Sequence, residues 1–565
     1  MSELTYREFD FEFSDRENWT LPWMLRHRAQ THGDKVYLDV PDHGESFTFA
    51  DTLAAAEAIG RGLIDAGGEQ AGRLLLMAPN RSELVLSWFG AAMAGMVEVP
   101  INTAYTGTFL EHQVRTTTPI FAVILADYAE RFLAGDASAY DSIERFYLLG
   151  DEADQQRAIE LLGAAGRNAS PYAELARPDS ATELPEVDRT DSGAIFFTSG
   201  TTGLSKGVNM SHSQLCFVSQ QLIALVRLTD RDTHMSVGPL FHGNAQFLAA
   251  SPDLIAGARF VLREKYSASR WIDQIRDCGA TVTNFVGVMM DWTHQQPERP
   301  DDADTELRCV YTVPTPNAIL ADFSRRFGVE AYVEQYGMTE ISLPVMTPYG
   351  TQRPEGAAGL LADEYFEAKI VDPETDEEVA NGEIGEFVIR PKEPWIMLTD
   401  YYGMPDRTGE ACRNLWFHTG DGLKRDDEGW FYFVDRLKDA IRRRGENISS
   451  YEVEQAVIGH GKISDCAAVA APARAHAGED EVAVFFVLEE SEEMSVEELR
   501  VWCEERLPPF AMPEFISVLP ALPMTPSGKV RKVELREIAA RQAASAYEGT
   551  EARRSRPDRR ASKQI

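Results

Sequence analysis

One run constrains what this chain can fold into more than any other: Phe196-Phe197-Thr198-Ser199-Gly200-Thr201-Thr202-Gly203-Leu204-Ser205-Lys206-Gly207-Val208. Residues 194–197 are short and apolar, the pattern of a buried strand. The unbroken hydroxyl and glycine residues that follow end the strand in a loop. Glycine reaches the positive φ angles of a tight loop and removes side chains that would block a ligand. Successive backbone N–H groups form a concave anion site there, and hydroxyls add donors. Lys206 supplies a point charge suited to phosphate. The run is therefore built to hold a polyphosphate through Thr198, Ser199, Gly200, Thr201, Thr202, Gly203 and Lys206. It is not the Walker pattern, because Lys206 follows Ser205 and precedes Gly207. A solvated Ser/Thr/Gly loop is the ordinary alternative, and the length and order of the run disfavour it.

At 565 residues the chain is too long for one core, so two or more domains are expected. A formal net charge of -35 argues against a nucleic-acid or anionic-membrane partner. The six cysteines stand far apart with no C-x-x-C pair, which disfavours zinc or a disulfide framework and fits a reducing cytosol. Residues 1–15 are acidic and aromatic, unlike a signal peptide. The apolar run 84–97 is too short to span a bilayer and reads as a buried helix.

Short apolar stretches alternate with helical ones through the first three hundred or so residues. Strands are expected at 35–40, 47–49, 73–77, 98–101, 120–125 and 146–149, then at 259–262, 281–286 and 309–313. Helices are expected at 21–30, from Ser82, and at 211–226. Such alternation implies βαβ units and a largely parallel sheet. Residues 151–190 read as a polar, irregular connection.

Two further stretches carry chemistry. In Glu334-Gln335-Tyr336-Gly337-Met338-Thr339-Glu340 the tyrosine can stack on a purine, Thr339 can hydrogen-bond a phosphate oxygen, and Glu340 is a hard oxygen ligand for Mg²⁺. In His418-Thr419-Gly420-Asp421-Gly422 a carboxylate at a strand end can accept both ribose hydroxyl protons. Each alone is also an ordinary turn.

Together these stretches resemble the adenylate-forming superfamily of acyl-CoA synthetases, peptide-synthetase adenylation domains and beetle luciferases. The proline usual before the lysine is Ser205 here. The family's small adenine-binding loop is replaced by Thr312-Val313-Pro314-Thr315-Pro316, expected to touch adenine through backbone. The resemblance implies ribose binding by Asp421 and Arg436, nucleotide contacts by Tyr336 and Gly337, a hinge at Lys438, room for the pantetheine arm at Gly445, and a catalytic Lys529 in Pro523-x-x-x-x-Gly528-Lys529. A histidine beside aromatics is usually a packing residue, but His242 matches the family's acyl-pocket position. Other pocket candidates are Phe247, Val286, Gly287, Val288, Met338 and Ile341. The charge run Arg442-Arg443-Arg444 is read as a basic rim for coenzyme A phosphates.

The implied fold is α/β: a large N-terminal domain of αβαβα-type sheets with a β-barrel-like subdomain, and a small mobile α+β C-terminal domain. The expected boundaries are 1–435 for the adenylation domain, 436–545 for the lid carrying the lysine, and 546–565 for a basic, disordered tail. The implied reaction is activation of a carboxylic acid by ATP and Mg²⁺ to an acyl-adenylate, then to a coenzyme A thioester, in the cytoplasm. The wording from Arg436 to Glu452 resembles crotonobetaine/carnitine-CoA ligase-like members, with related wording in fatty and steroid acyl ligases. The apolar pocket favours a medium-to-long or bulky, mostly apolar acid. A homodimer is a family-level expectation. Loading of a carrier protein, luciferase-like oxygenation and a non-catalytic nucleotide-binding scaffold are the alternatives. A scaffold should have lost Lys529, Glu340 or Asp421, and all three are present.

Overall fold

The computed structural model describes residues 13–198, 204–313, 315–436, 440–444, 446–473, 479–489, 492–524, 530 and 532–554. They fall into two compact units. The first holds 13–103, 110–198 and 206–436; the second holds 104–109, 204–205 and the described residues from 440 onward.

Three sheets build the first unit. In the eight-stranded sheet, Arg73–Met77 lies parallel between Val97–Pro100 and Phe121–Leu125. Arg145–Leu149 and Ala169–Pro171 extend one side, and Ser192–Thr198 lies on the other. These strands are buried along nearly their whole length, as a parallel sheet covered on both faces requires. A second, seven-stranded sheet runs parallel through Val36–Val40, Arg259–Leu262, Thr233–Ser236, Val282–Val286, Cys309–Val313 and Ala331–Val333, with Glu45–Thr48 antiparallel at its edge. The third sheet, expected as barrel-like, is antiparallel throughout, with Gln335–Met338 and Phe366–Val371 as its end strands.

Helix starts follow local chemistry. Thr48 and Asp51 form a reciprocal capping box for Phe49–Asp65. That box turns Phe49 into the first helical residue instead of the last residue of a strand. The apolar run at 84–97 is divided: a buried helix, Ser82–Met93, and then Val97–Pro100 in the sheet. The connection at 151–190 is not wholly irregular. Asp151 caps a helix, Glu152–Ala164, that buries only Ala158 and Leu162, four residues apart. So narrow an apolar stripe leaves little pattern in the sequence.

Glu98 is an anomaly within the eight-stranded sheet. It is fully buried, Oε2 accepts from Gln246 Nε2 at 3.3 Å, and Oε1 finds no partner among the described residues. Burial raises its carboxyl well above the ordinary range. A carboxyl that is harder to ionise folded than unfolded favours the folded state fully below the ordinary carboxylate pKa. That contribution is lost as pH rises. Glu98→Gln, close in shape to the protonated acid, is expected to stabilise the protein by about 1–3 kcal/mol at pH 8 and by little at pH 4.5. Urea denaturation at the two pH values measures this, and an equal effect at both would disprove the raised pKa of the buried carboxyl.

In the second unit, Ile463–Pro472, Asp480–Leu488 and Phe515–Val518 form a three-stranded sheet beside the hairpin Ala440–Arg443/Glu446–Ser449. Alternate residues separate its two cores. Ala468, Val482, Val484 and Phe486 pack with Val453, Val457 and Leu499 from the helices Ser450–Ile458 and Val496–Glu504. Ala467, Val469, Ala483 and Phe485 pack with Leu535 and Ala539 from the helix Lys532–Arg554. Residues 546–554 are thus helical, although the composition suggested a disordered tail there.

Candidate active site

The strand Ser192–Thr198 returns as an antiparallel strand, Lys206–Ser211, with Thr198 opposite Lys206. The hairpin therefore sets the two ends of the candidate phosphate loop side by side. Ser199, Gly200, Thr201, Thr202 and Gly203 lie outside the described residues. Phe196, just before the loop, meets the ring of Phe247 edge-on at 4.7 Å.

Glu340 is the hub of this region. It is 1% exposed, and its Oε1 accepts from the Thr198 hydroxyl at 2.9 Å and the Tyr401 hydroxyl at 3.0 Å. Its Oε2 is buried with no hydrogen-bond partner among the described residues. A buried carboxylate oxygen is not left unsatisfied without cause. A hard divalent cation prefers such a donor, so the residues fit Mg²⁺ at this atom. Burial, then the neighbouring Glu340 charge, raises the Tyr401 hydroxyl far above its ordinary range, so it stays protonated and donates. The Lys206 ammonium stands 4.0 Å over the Tyr401 ring. Backbone contacts fasten the same turn: Gln214 Nε2 donates to the Thr339 carbonyl at 2.9 Å, and Leu398 N–H donates to the Glu340 carbonyl at 2.8 Å. A Cβ on Gly337 would stand 2.2 Å from the Ser342 carbonyl oxygen, so only glycine fits there.

Tyr336 and Asp421 come from motifs 85 residues apart and meet directly. The tyrosine hydroxyl donates to Asp421 Oδ2 at 2.8 Å, and both residues are buried. The tyrosine ring lies edge-on to Phe387 and beside Phe433, whose ring is half-exposed. Gly420 takes φ +73°, and its N–H donates to Glu386 Oε1 at 3.0 Å, while His418 Nδ1 lies 3.0 Å from Glu386 Oε2. Glu386 thus fixes the Thr-Gly-Asp turn from below. Arg436 pairs with Asp421 across the sheet through its backbone.

The other sequence candidates come from several elements. His242 precedes the short helix Gly243–Ala245, its ring tilted against Phe241 at 4.8 Å. Phe247 and Ile341 are buried in the core, whereas Val286 and Met338 are part-exposed. Gly287 and Val288 open the helix Gly287–His294. Thr312 and Thr315 are buried. Lys438, Gly445 and Lys529 lie outside the described residues. Tyr401 gave no signal in the sequence beyond a Tyr-Tyr pair. Its contact with Glu340 spans 61 residues.

The arginine run is not a uniform rim. Arg443 is 5% exposed, pairs with Glu481 at 2.5 Å, and donates to the Met512 carbonyl at 2.7 Å. Its charge is spent on the fold. Arg444 is exposed, and Arg442 is part-exposed. If these two arginines form the rim for coenzyme A phosphates that the resemblance implies, Arg442→Glu with Arg444→Glu raises the KM for coenzyme A roughly five- to tenfold with kcat little changed, through lost phosphate attraction. Steady-state kinetics at two salt concentrations measure it. An unchanged KM at low salt would exclude these arginines from thiol-substrate binding.

Comparison with known proteins gives a consistent answer. The AMP-binding enzyme family matches residues 25–401, and the AMP-binding enzyme C-terminal domain matches residues 452–529. A crotonobetaine/carnitine–CoA ligase of Salmonella heidelberg (strain SL476) is 32% identical over 469 residues, covering 82% of this chain and 88% of the relative. A double mutant of o-succinylbenzoate CoA synthetase from Bacillus subtilis superposes with TM-score 0.75 at 23% identity, over 92% of this chain and 98% of that one. A Mycobacterium tuberculosis fatty acyl CoA synthetase superposes with TM-score 0.65 at 24% identity, over 94% and 100%.

Proposed function

We infer that this chain, which belongs to the AMP-binding enzyme family, is an ATP-dependent, AMP-forming acyl-CoA ligase. The observation that carries the reading is the convergence on Glu340: the phosphate hairpin reaches its Oε1 through Thr198, and its buried Oε2, without a hydrogen-bond partner among the described residues, suits a cation.

In the first step a carboxylate oxygen of the acid attacks the α-phosphorus of ATP and pyrophosphate leaves. In the second the coenzyme A thiol attacks the acyl carbon and AMP leaves. Both partners of the first step are anionic, so the site must supply positive charge and hold them in line. Lys206 and the loop Thr198, Ser199, Gly200, Thr201, Thr202, Gly203 hold the β- and γ-phosphates. Mg²⁺ bound at Glu340 would neutralise charge on the departing pyrophosphate. Thr339 donates to a phosphate oxygen. The Tyr336–Asp421 pair and Gly337 hold the nucleoside, with Asp421 and Arg436 at the ribose. Lys529 bridges the attacking carboxylate and the α-phosphate.

The division into an adenylation domain at 1–435, a mobile lid at 436–545 and a tail at 546–565 belongs to this reading. Lys438 is its hinge, and Gly445 gives the pantetheine arm passage in the second step. His242 borders the acyl group. The described pocket candidates include no carboxylate to pair with a quaternary ammonium, which supports a bulky or medium-to-long, mostly apolar acid. Among the described residues no helix is long and apolar enough to cross a membrane. Cytoplasmic residence and a homodimer complete the proposal.

AMP formation from ATP and Mg²⁺ across a panel of carboxylic acids, with and without coenzyme A, tests it. The panel should include crotonobetaine and carnitine beside aliphatic and polycyclic acids. Catalytic AMP release only with coenzyme A is expected, fastest for an apolar acid. Acid-dependent pyrophosphate exchange that coenzyme A does not alter would replace the thiol acceptor by a carrier protein. No exchange with any acid would overturn the ligase reading.

A further inference from the structure

The role assigned to Glu340 leaves open what holds its carboxylate so that one oxygen stays available. Thr198 comes from the phosphate strand and has its own work at the loop. The other donor, Tyr401, belongs to no motif considered above. It is 2% exposed and sits in the short strand Asp400–Tyr401, which pairs with the phosphate hairpin through Asp400 with Asn209 and Tyr401 with Val208. Thr399 N–H donates to the Asn209 carbonyl at 2.9 Å, and Tyr402 N–H to the Gly207 carbonyl at 2.7 Å. Tyr401 N–H itself donates to the Thr408 hydroxyl at 3.0 Å. Its backbone is therefore held on both sides.

The segment leading into Tyr401 is tied to the Glu340 turn as well. Leu398 N–H donates to the Glu340 carbonyl, and the Ser342 hydroxyl donates to the Ile396 carbonyl at 2.8 Å. Two residues in these tied stretches hold unusual backbones, Trp395 at φ +66° and Ser342 at φ +59°. For a bulky side chain such an angle is uncommon and persists only where the surroundings impose it. Main chain and side chain thus act together: the strap 395–401 fixes the carbonyl of Glu340, and its last residue fixes one carboxylate oxygen.

We propose that Tyr401 is a positioning residue that couples the cation site to the phosphate site: its hydroxyl pins Oε1 of Glu340 so that Oε2 faces the divalent cation, and its ring seats the Lys206 ammonium. A single rigid side chain then sets the spacing of the two positive charges that the polyphosphate meets. The proposal rests on the ligase reading above. Partners that orient a metal-binding carboxylate are typically worth about 10–100-fold in metal affinity.

The test uses the full-length protein, Mn²⁺ as the cation probe and α,β-methylene ATP as an unreactive nucleotide. Mn²⁺ affinity is read by electron paramagnetic resonance with nucleotide bound, and nucleotide affinity is read separately in EDTA. Tyr401→Phe removes the hydroxyl and keeps the ring. It is expected to weaken Mn²⁺ binding about 10–100-fold while leaving metal-free nucleotide affinity within about twofold, which also shows that the variant is folded. Tyr401→Leu removes the ring too and is expected to weaken metal-free nucleotide binding as well, about threefold to tenfold, through the unseated Lys206. Wild-type Mn²⁺ affinity in Tyr401→Phe overturns the proposal and leaves the ligase reading standing. Equal loss of Mn²⁺ and metal-free nucleotide binding in Tyr401→Phe also overturns it, because the hydroxyl would then support the fold and not the cation site. Wild-type protein that binds neither Mn²⁺ nor nucleotide defeats both readings.

Discussion

Glu340→Gln is expected to slow acyl-adenylate formation about 10²–10³-fold, the usual effect of removing one preorganised charge-stabilising group. The substitution is chosen for what it keeps. Glutamine retains a carbonyl oxygen where Thr198 and Tyr401 now donate to Oε1. The two anchoring hydrogen bonds survive, and so does the seat of the side chain. What changes is the buried Oε2, without a hydrogen-bond partner among the described residues, which becomes an amide that repels a cation. The charge it would hold is needed most as pyrophosphate departs, so the loss should fall on the adenylation step and be partly relieved by raised Mg²⁺. Pyrophosphate exchange at saturating ATP and acid, titrated with Mg²⁺, measures it. A near-normal rate at low Mg²⁺ would remove Glu340 from the cation site. A collapsed thermal midpoint would show instead that the carboxylate is structural.

How much of this was legible beforehand depends on how local the signal is. The stretches at 196–208, 334–340 and 418–422 are contiguous, and each presents a fixed set of donors, acceptors and glycines. The chemistry proposed for them therefore rests on residue order alone. The strands Arg73–Met77, Arg259–Leu262 and Cys309–Val313 fall where short apolar runs indicated them, because a strand buried on both faces needs little but apolar β-formers. Three features were not legible for three different reasons. The strand Lys206–Ser211 mixes a lysine, a glycine and an asparagine, and only pairing with Ser192–Thr198 makes it a strand. Arg443 is one of three adjacent arginines, and nothing local distinguishes the one that turns inward to Glu481 from its solvated neighbours. Tyr401 acquires its place only when Asp400–Tyr401 joins the hairpin and brings a phenol to a carboxylate from a distant motif. Contacts of long sequence separation carry the assembly of the site, whereas the chemistry of its parts is local.

Lys529→Ala is expected to lower adenylation at least about 10²–10³-fold while leaving thioester formation from supplied acyl-adenylate within a few-fold of normal. The asymmetry follows from charge. Before adenylation an anionic carboxylate must approach the α-phosphate, and a cation shared between them lowers that barrier directly. After adenylation the acyl carbon is already activated, the repelling pyrophosphate has gone, and the attacking group is a thiol. A lysine serving the first geometry has no partner in the second. Lys529→Arg should not restore the rate, because a planar guanidinium fork cannot stand where a compact ammonium bridges two oxygens. The two half-reactions are separable: pyrophosphate exchange reports the first, and coenzyme A consumption from synthetic acyl-adenylate reports the second. Equal loss in both would mean that Lys529 holds the nucleotide throughout, and the division of labour between the two steps would have to be abandoned. Loss confined to the first would place the same side chain outside the thiol step. A mobile lid that carries Lys529 and turns at Lys438 would produce that separation.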